Sequence, residues 1–409
     1  MENSDETHAS ALTGGDSLQG IVLPTAYRIN SERALARYPE QAANYLRHTL
    51  IGDPLWDGIL EELAQLPGPE VSRFIQAGME QQEDVMRDAP QVLRDFFIDS
   101  PPPDPPWLDH NAFGPGVRAF QRNAIPILSA FVTGVLLDGF ATLISTSFTQ
   151  TGRIFDNGVW RLKQNNRHQV EIFFPGGLER YGDGWKLSVR IRIVHAQIRR
   201  LLAASEEWDA DELGTPLSAA HLGYAVACFA GRSIKHSQSL GARYTKEERE
   251  SYHAVWRYAG HLMGIPDTIL FTDEDDASMM HRVGSTCEPP PTDEAVLMTN
   301  ALINSAPLVA GITDPDARKA LVHDVIYPIA RALLGNRLAD QLRFPKSGRF
   351  AVLFLYRMNN RYQRLVAKLR GKEPKLDAFG SLLEASAYDS AGLSYKLPDH
   401  VHAERSSKW

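Results

Sequence analysis

Cysteine is nearly missing from this chain of 409 residues. Cys228 and Cys287 are the only two, and they form no CxxC pair. That spacing speaks against a disulfide framework and against a structural zinc site. An excess of positive charge is missing as well. The chain carries 43 basic and 50 acidic residues, a net charge of −7. It therefore has no electrostatic footprint for DNA, RNA or anionic lipid. Long apolar runs are scarce. The longest, from Ile125 to Leu137, ends at Asp138 and falls short of the ~20 residues that span a bilayer. The N-terminus, MENSDETHASALTGGDSLQG, has neither the basic nor the apolar region of a secretory signal. These absences lead us to expect a cytoplasmic, reduced protein with no transmembrane segment and no nucleic-acid partner.

Several catalytic signatures are absent too. No GxGxxG follows a strand and no Walker A sequence occurs, so no phosphate cradle is indicated. HExxH and GxSxG are missing. A single ExxH, Glu250 to His253, lies in the charged run KEERESYH. A di-iron bundle needs two such pairs, so a solvated helix face is the plainer reading. The His323-Asp324 pair hints at metal-dependent phosphohydrolases only as a dipeptide, and a helix-end histidine accounts for it as well.

What remains is an ordinary globular composition, 43% hydrophobic and 23% charged, read largely in helical periods. Helices are expected over Ala124–Phe148, Trp185–Ala204, Ser218–Ala230, Thr245–Met263, Glu294–Ala310, Pro315–Leu334 and Gly348–Leu369. SPPPDPPW, from Ser100, and CEPPPTD, from Cys287, interrupt them and must be connectors. Strand-like alternation is confined to VEIFF, from Val170, ahead of Pro175-Gly176-Gly177. The expected organisation is all-α. Residues 1–20 form a disordered tail, 21–395 a single large helical domain and 396–409 a C-terminal tail.

One segment concentrates chemistry. WKLSVRIRIVHAQIRRLLAA, from Trp185 to Ala204, holds no glycine or proline, which favours helix. At 100° per residue, Leu187, Ile191, Val194, Ile198 and Leu201 form a buried stripe. His195 lies on its edge, with Arg192 and Arg199 on the same side. Two neighbouring cations disfavour imidazolium and keep a nitrogen lone pair available, the form a metal requires. Arginine also matches carboxylates such as haem propionates. The same spacing fits an amphipathic helix with an edge histidine and snorkelling arginines.

The segment resembles the histidine helix of the latex clearing protein family, which groups rubber oxygenases with MpaB-type oxygenases. Arg190, Arg192, His195, Ala196, Arg199 and Arg200 match its R-x-R-x-x-H-A-x-x-R-R pattern. Further blocks agree in order: Thr151-Gly152-Arg153, Arg161-Leu162, Gly214-Thr215-Pro216 with Phe229, and Trp256 to Gly260 with Gly264-Ile265-Pro266. The resemblance implies an all-helical fold enclosing haem b, with His195 as the iron ligand. It implies cofactor-site positions for Arg161, near the haem, and for Arg192 and Arg199, bracing the histidine or the propionates, with catalytic positions at Arg161 and Asn165; Arg153 fits a propionate contact and a helix cap equally. The implied activity is O2 activation on an apolar, isoprenoid-like or unsaturated small-molecule substrate, with oxidative cleavage of a C=C bond in the rubber branch. A haem-binding or sensing protein of the same fold is the alternative. Two positions depart from the pattern. Asn165 stands where the rubber branch has threonine, with the neighbouring lysine shifted to Lys163. No acidic residue lies between Asp138 and Asp156, where that branch carries a glutamate.

Of the other histidines, His261 and His221 read as hydrogen-bonded core residues. Trp160 and Trp256 read as core aromatics.

Overall fold

A computed structural model describes Leu18 and residues 20–150, 158–346 and 352–369. The expected tails fall outside these residues apart from Leu18 and Gly20. Among the described residues all regular structure is helical, and no strand occurs. One contiguous buried apolar cluster runs from Tyr27 to Phe344.

The first helices are α1 (Thr25–Arg37), α2 (Pro39–His48), α3 (Pro54–Glu62) and α4 (Gly68–Met79). Proline opens α2 and α3 at their first turn, where a missing N–H costs nothing. Asp53 caps α3 by accepting from the Trp56 backbone N–H.

The apolar stretch from Ala124 to Phe148 is not one helix. After α5 (Gly114–Arg122) it divides into α6 (Ala124–Ala130), a π-turn (Phe131–Val135), α7 (Leu136–Phe140) and α8 (Ile144–Gln150). The break at Ala141–Leu143 follows Gly139, whose carbonyl accepts from the Thr142 hydroxyl. Such local side-chain bonds compete with the helical ladder. No single helix among the described residues is long and apolar enough to cross a membrane.

Two helices then form the centre: α9 (Gly158–Ile172) and α10 (Asp183–Ala203), packed on each other. The strand or loop expected at Val170–Phe174 is instead the last turn of α9 and its exit. The alternation there has another cause. Val170, Ile172 and Phe173 are all buried, while Glu171 pairs with Arg167 one turn earlier. Gly176 follows at φ +73°, a conformation glycine adopts without steric cost. The next position, Gly177, lies against the Glu171 carbonyl too closely for any Cβ.

The helix α10 is buried on more than the expected stripe. Val194 and Ile198 are buried as expected, but so are Val189, Ile193 and Ala196. Leu187, Ile191 and Leu201 are only half-buried. The helix is central, with α3 on one side and α9 on another.

The remaining principal helices are α11 (Ala219–Ala227), α12 (Ser233–Ser239), α13 (Lys246–Leu262), α14 (Glu274–Cys287), α15 (Asp293–Val309), α16 (Pro315–Leu321), α17 (Tyr327–Leu334), α18 (Asn336–Gln341) and α19 (Val352–Leu369). π-turns join α11 to α12 and α16 to α17. A capping box starts α13: Thr245 and Glu248 each accept from the other's backbone N–H, satisfying two donors that a helix start leaves open.

Candidate functional site

His195 stands midway along α10, half-buried. With Ile191, one turn earlier, it lines a cavity between α7, α8, α9, α10 and α11. The walls are apolar: Phe140, Phe148, Phe229, Leu222 and Ile265 among others. This explains why Ile191 and His195 are less buried than the flanking turns: they face internal space. The Phe148 ring stands 6.3 Å from the imidazole, edge-on. Among the described residues, two other polar side chains line the cavity, Asn165 and His168 of α9.

His168 was not singled out by sequence. Its only signal was its position one helical turn before the buried end of α9. It is 5% exposed, and burial pushes its pKa down to about 3, so it is neutral at ordinary pH. The Ser188 hydroxyl donates to the Gly184 carbonyl at 2.7 Å. Its one proton being engaged there, it accepts from His168 Nε2 at 2.9 Å. That fixes the proton on Nε2 and leaves Nδ1 as an unprotonated hydrogen-bond acceptor.

Arg192 and Arg199 do not line the cavity. They form ion pairs with the start of α3. Arg192 donates Nε to Asp53 Oδ2 at 2.5 Å and Nη2 to Oδ1 at 2.8 Å. Arg199 donates Nε to Asp57 Oδ1 at 2.8 Å and Nη1 to the Leu217 carbonyl at 3.2 Å. The pairs clamp α10 to α3 on both sides of His195. Glycines make room for them. A Cβ on Gly264 would strike Asp53 and Arg192, and one on Gly52 would strike Asp57 and Arg199. Gly264 also has φ +81°. The Gly264-Ile265-Pro266 block thus serves the ion pair, and its Ile265 lines the cavity.

Arg153 lies outside the described residues. Arg161 is placed by its backbone alone, one turn before Asn165 on α9. Glu250 and His253 do not share a solvated face: Glu250 pairs with Lys246, while His253 is 2% exposed and bonds the Arg249 carbonyl through Nδ1. His323 and Asp324 are exposed in a π-turn. His221 is fully buried and bonds the Tyr27 hydroxyl at 2.7 Å. His261 is half-buried, 3.5 Å from Asp267. Trp256 is buried, as a core aromatic should be.

The donor set suits a haem better than a bare metal ion. Two imidazoles, His195 and His168, line an apolar cavity, and no carboxylate or thiol lines it among the described residues. A bare divalent ion takes three or four close protein ligands, whereas a haem brings four nitrogens and needs a protein axial ligand. The free volume, 90 Å³, is below the ~300–1,000 Å³ of ordinary ligand pockets. A macrocycle enters only with outward displacement of the walls.

The model of a family described as ER-bound oxygenase mpaB/B'/Rubber oxygenase, catalytic domain, matches residues 117–367. A rubber oxygenase of Streptomyces sp. (strain K30) is 24% identical over 254 residues, which is 59% of this chain. The match spans 58% of that relative's length. The solved structure of a latex clearing protein in the closed state superimposes with a TM-score of 0.66 at 20% identity. The superposition covers 86% of this chain and 95% of the other, and shows a shared helical fold.

Proposed function

The chain belongs to the mpaB/rubber oxygenase family, and on that premise we propose that it is a haem b-dependent oxygenase acting on an apolar, unsaturated small-molecule substrate. The observation that carries this reading is the single α10 histidine, His195, facing an enclosed apolar cavity within the family-matched segment. His195 would hold the iron, and the haem would supply O2 activation. The two ion pairs to α3 hold the α10 backbone on either side of it. The phenylalanine and aliphatic walls exclude water and receive the apolar substrate. Asn165, with no hydrogen-bond partner of its own among the described residues, offers an amide donor toward the substrate side. The family's glutamate is absent, and His168 Nδ1, unprotonated in the same cavity, would orient the substrate as a hydrogen-bond acceptor. Arg161 and Arg153 remain candidates for the propionates. The organisation we propose is a single helical domain over 21–395.

The test is an absorption spectrum of the purified, haem-reconstituted protein beside His195→Ala. A Soret band in the wild type that is lost or shifted in the variant is expected. No Soret band in the wild type sinks the reading. A cavity without a carboxylate also fits a haem-binding or sensing protein that does not oxygenate. Substrate-dependent O2 uptake separates the two: uptake supports the oxygenase, and a Soret band without uptake supports the sensor.

A further inference from the structure

A second cleft lies away from the His195 cavity. It has a volume of 430 Å³ and opens between α1, the end of α14, and the α17–α18 corner. Three arginines line it: Arg33 and Arg37, one turn apart on α1, and Arg337 on α18. All three are exposed, and among the described residues none pairs with a carboxylate. Arg33 makes only a long contact to Asn30, 3.5 Å, and Arg37 lies over the Tyr38 ring at 5.2 Å. Arg337 has no partner among the described residues. Arg37 sits in the last turn of α1, where a cation complements the helix dipole. That accounts for one arginine of the three.

The two carboxylates in the cleft wall do not offset this charge, because both are already satisfied. Asp138 Oδ2 accepts from Arg232 Nε at 2.8 Å and His281 Nε2 at 3.1 Å. Glu288 accepts from the Tyr45 hydroxyl at 2.7 Å and the Leu143 N–H at 3.3 Å, with His221 3.5 Å away. Burial works to raise both pKa values, but these partners overcome it and hold them below the ordinary range. The unbalanced charge is positive and sits at the arginines. Beside it, Leu334, Leu338 and the run Pro289-Pro290-Pro291 present an apolar wall.

We infer that this cleft binds an organic phosphate, its head held by Arg33, Arg37 and Arg337 and its apolar body lying against the leucine and proline wall. Guanidinium forks match phosphate oxygens in pairs, and three of them suit a dianion better than a single carboxylate. The cleft volume lies in the range of small-molecule sites, well beyond a bare ion. The site is independent of the cofactor reading, since no arginine of the cleft touches the His195 cavity. The two spaces nonetheless share walls. Asp138 and Tyr224 line the cleft, while their helix neighbours Gly139 and Ala225 line the cavity.

The experiment is calorimetric titration of the full chain in phosphate-free, low-salt buffer. The probes are n-hexyl phosphate, inorganic phosphate and hexanoate. Hexyl phosphate should bind saturably, and the other two on the order of tenfold more weakly. Arg33→Ala with Arg337→Ala should weaken hexyl phosphate by on the order of tenfold or more with an unchanged melting temperature. Arg33→Gln alone serves if the double variant melts early. Three outcomes overturn the proposal: no saturable binding of hexyl phosphate, equal affinity in the variants, or equal affinity for hexanoate or inorganic phosphate. Phosphatidylcholine vesicles carrying phosphatidic acid distinguish the source. Sedimentation with them, abolished in the double variant, overturns the free ligand in favour of a lipid headgroup.

Discussion

At the residue scale, the ion pairs flanking His195 decide what the arginines of α10 do. The Asp53 side chain is 3% exposed and that of Arg192 is 14% exposed. Removing one partner strands the other, and breaking such a pair costs about 3–5 kcal/mol. Arg192→Gln and Asp53→Asn should each destabilise the protein by similar amounts. The double variant should cost less than their sum, with a coupling of about 1–3 kcal/mol. Urea unfolding of the four proteins in the cycle measures it. Additivity would return Arg192 to a role toward the cofactor. His168 makes a second test. Its replacement by phenylalanine should preserve the Soret band and reduce O2 uptake by roughly tenfold, the worth of one hydrogen bond to the substrate. Loss of the band as well would make His168 a cofactor contact instead.

His195 was legible because its neighbours are local. A 3.6-residue period places it on an edge, and the arginine spacing carries the family resemblance. The ion-pair partners of Arg192 and Arg199 were not legible. Asp53 and Asp57 lie about 140 residues earlier in the chain, and nothing in a single sequence ties Asp-Pro at a helix start to an arginine that distant. His168 was missed for a different reason. Its chemistry follows from burial and from Ser188, and neither is visible in the composition of α9.

At the element scale, the joint between α9 and α10 sets how Asn165 and His168 face His195. Gly177 is pinned there against the Glu171 carbonyl, a backbone atom that cannot swing aside. Gly177→Ala should therefore destabilise by about 1–3 kcal/mol, the cost of overpacking, and should shift the Soret band as α9 moves against α10. A lowered melting temperature with an unchanged spectrum would show that the joint is stiff enough to protect the cavity. The capping box of α13 is a control away from the site. Thr245→Ala should cost about 1 kcal/mol and leave the spectrum alone. Sequence periodicity located α10, α13 and α15 to within two residues, gave no helix at α9, α12 or α14, and overestimated the continuity of Ala124–Phe148. The π-turns at Phe131–Val135 and Cys228–Arg232 insert one residue into a ladder without changing the apolar pattern, so no period count detects them. The strand-like VEIFF misled for a related reason: a helix end buried on several sides loses its amphipathic period.

At the scale of the whole molecule, burial of neutral histidines makes the fold sensitive to acid. Burial holds both His168 and His236 at about 3, and the Arg232 charge adds to the effect on His236. In the unfolded chain a histidine titrates near ~6.5. Between these values the unfolded state binds more protons than the folded one. Stability therefore rises with pH across that window and is lost as pH falls through it. Above about 6.5 both histidines are neutral in either state and impose no slope. Each can contribute up to about 1.4 kcal/mol per pH unit inside the window. The buried carboxylates Asp138 and Glu288 act lower down. Their folded pKa values are depressed, so the stability they confer is lost only as pH drops below their unfolded values, near ~4. The interval from about pH 4.5 to 6.5 is thus left to histidines. Melting temperature should fall as pH drops through that interval, and His236→Gln should flatten the decline by the share of one proton there and on down to about pH 3. An unchanged slope would mean that His236 is protonated in the folded protein. Its charge would then have to be balanced by Asp138, drawing that carboxylate away from Arg232.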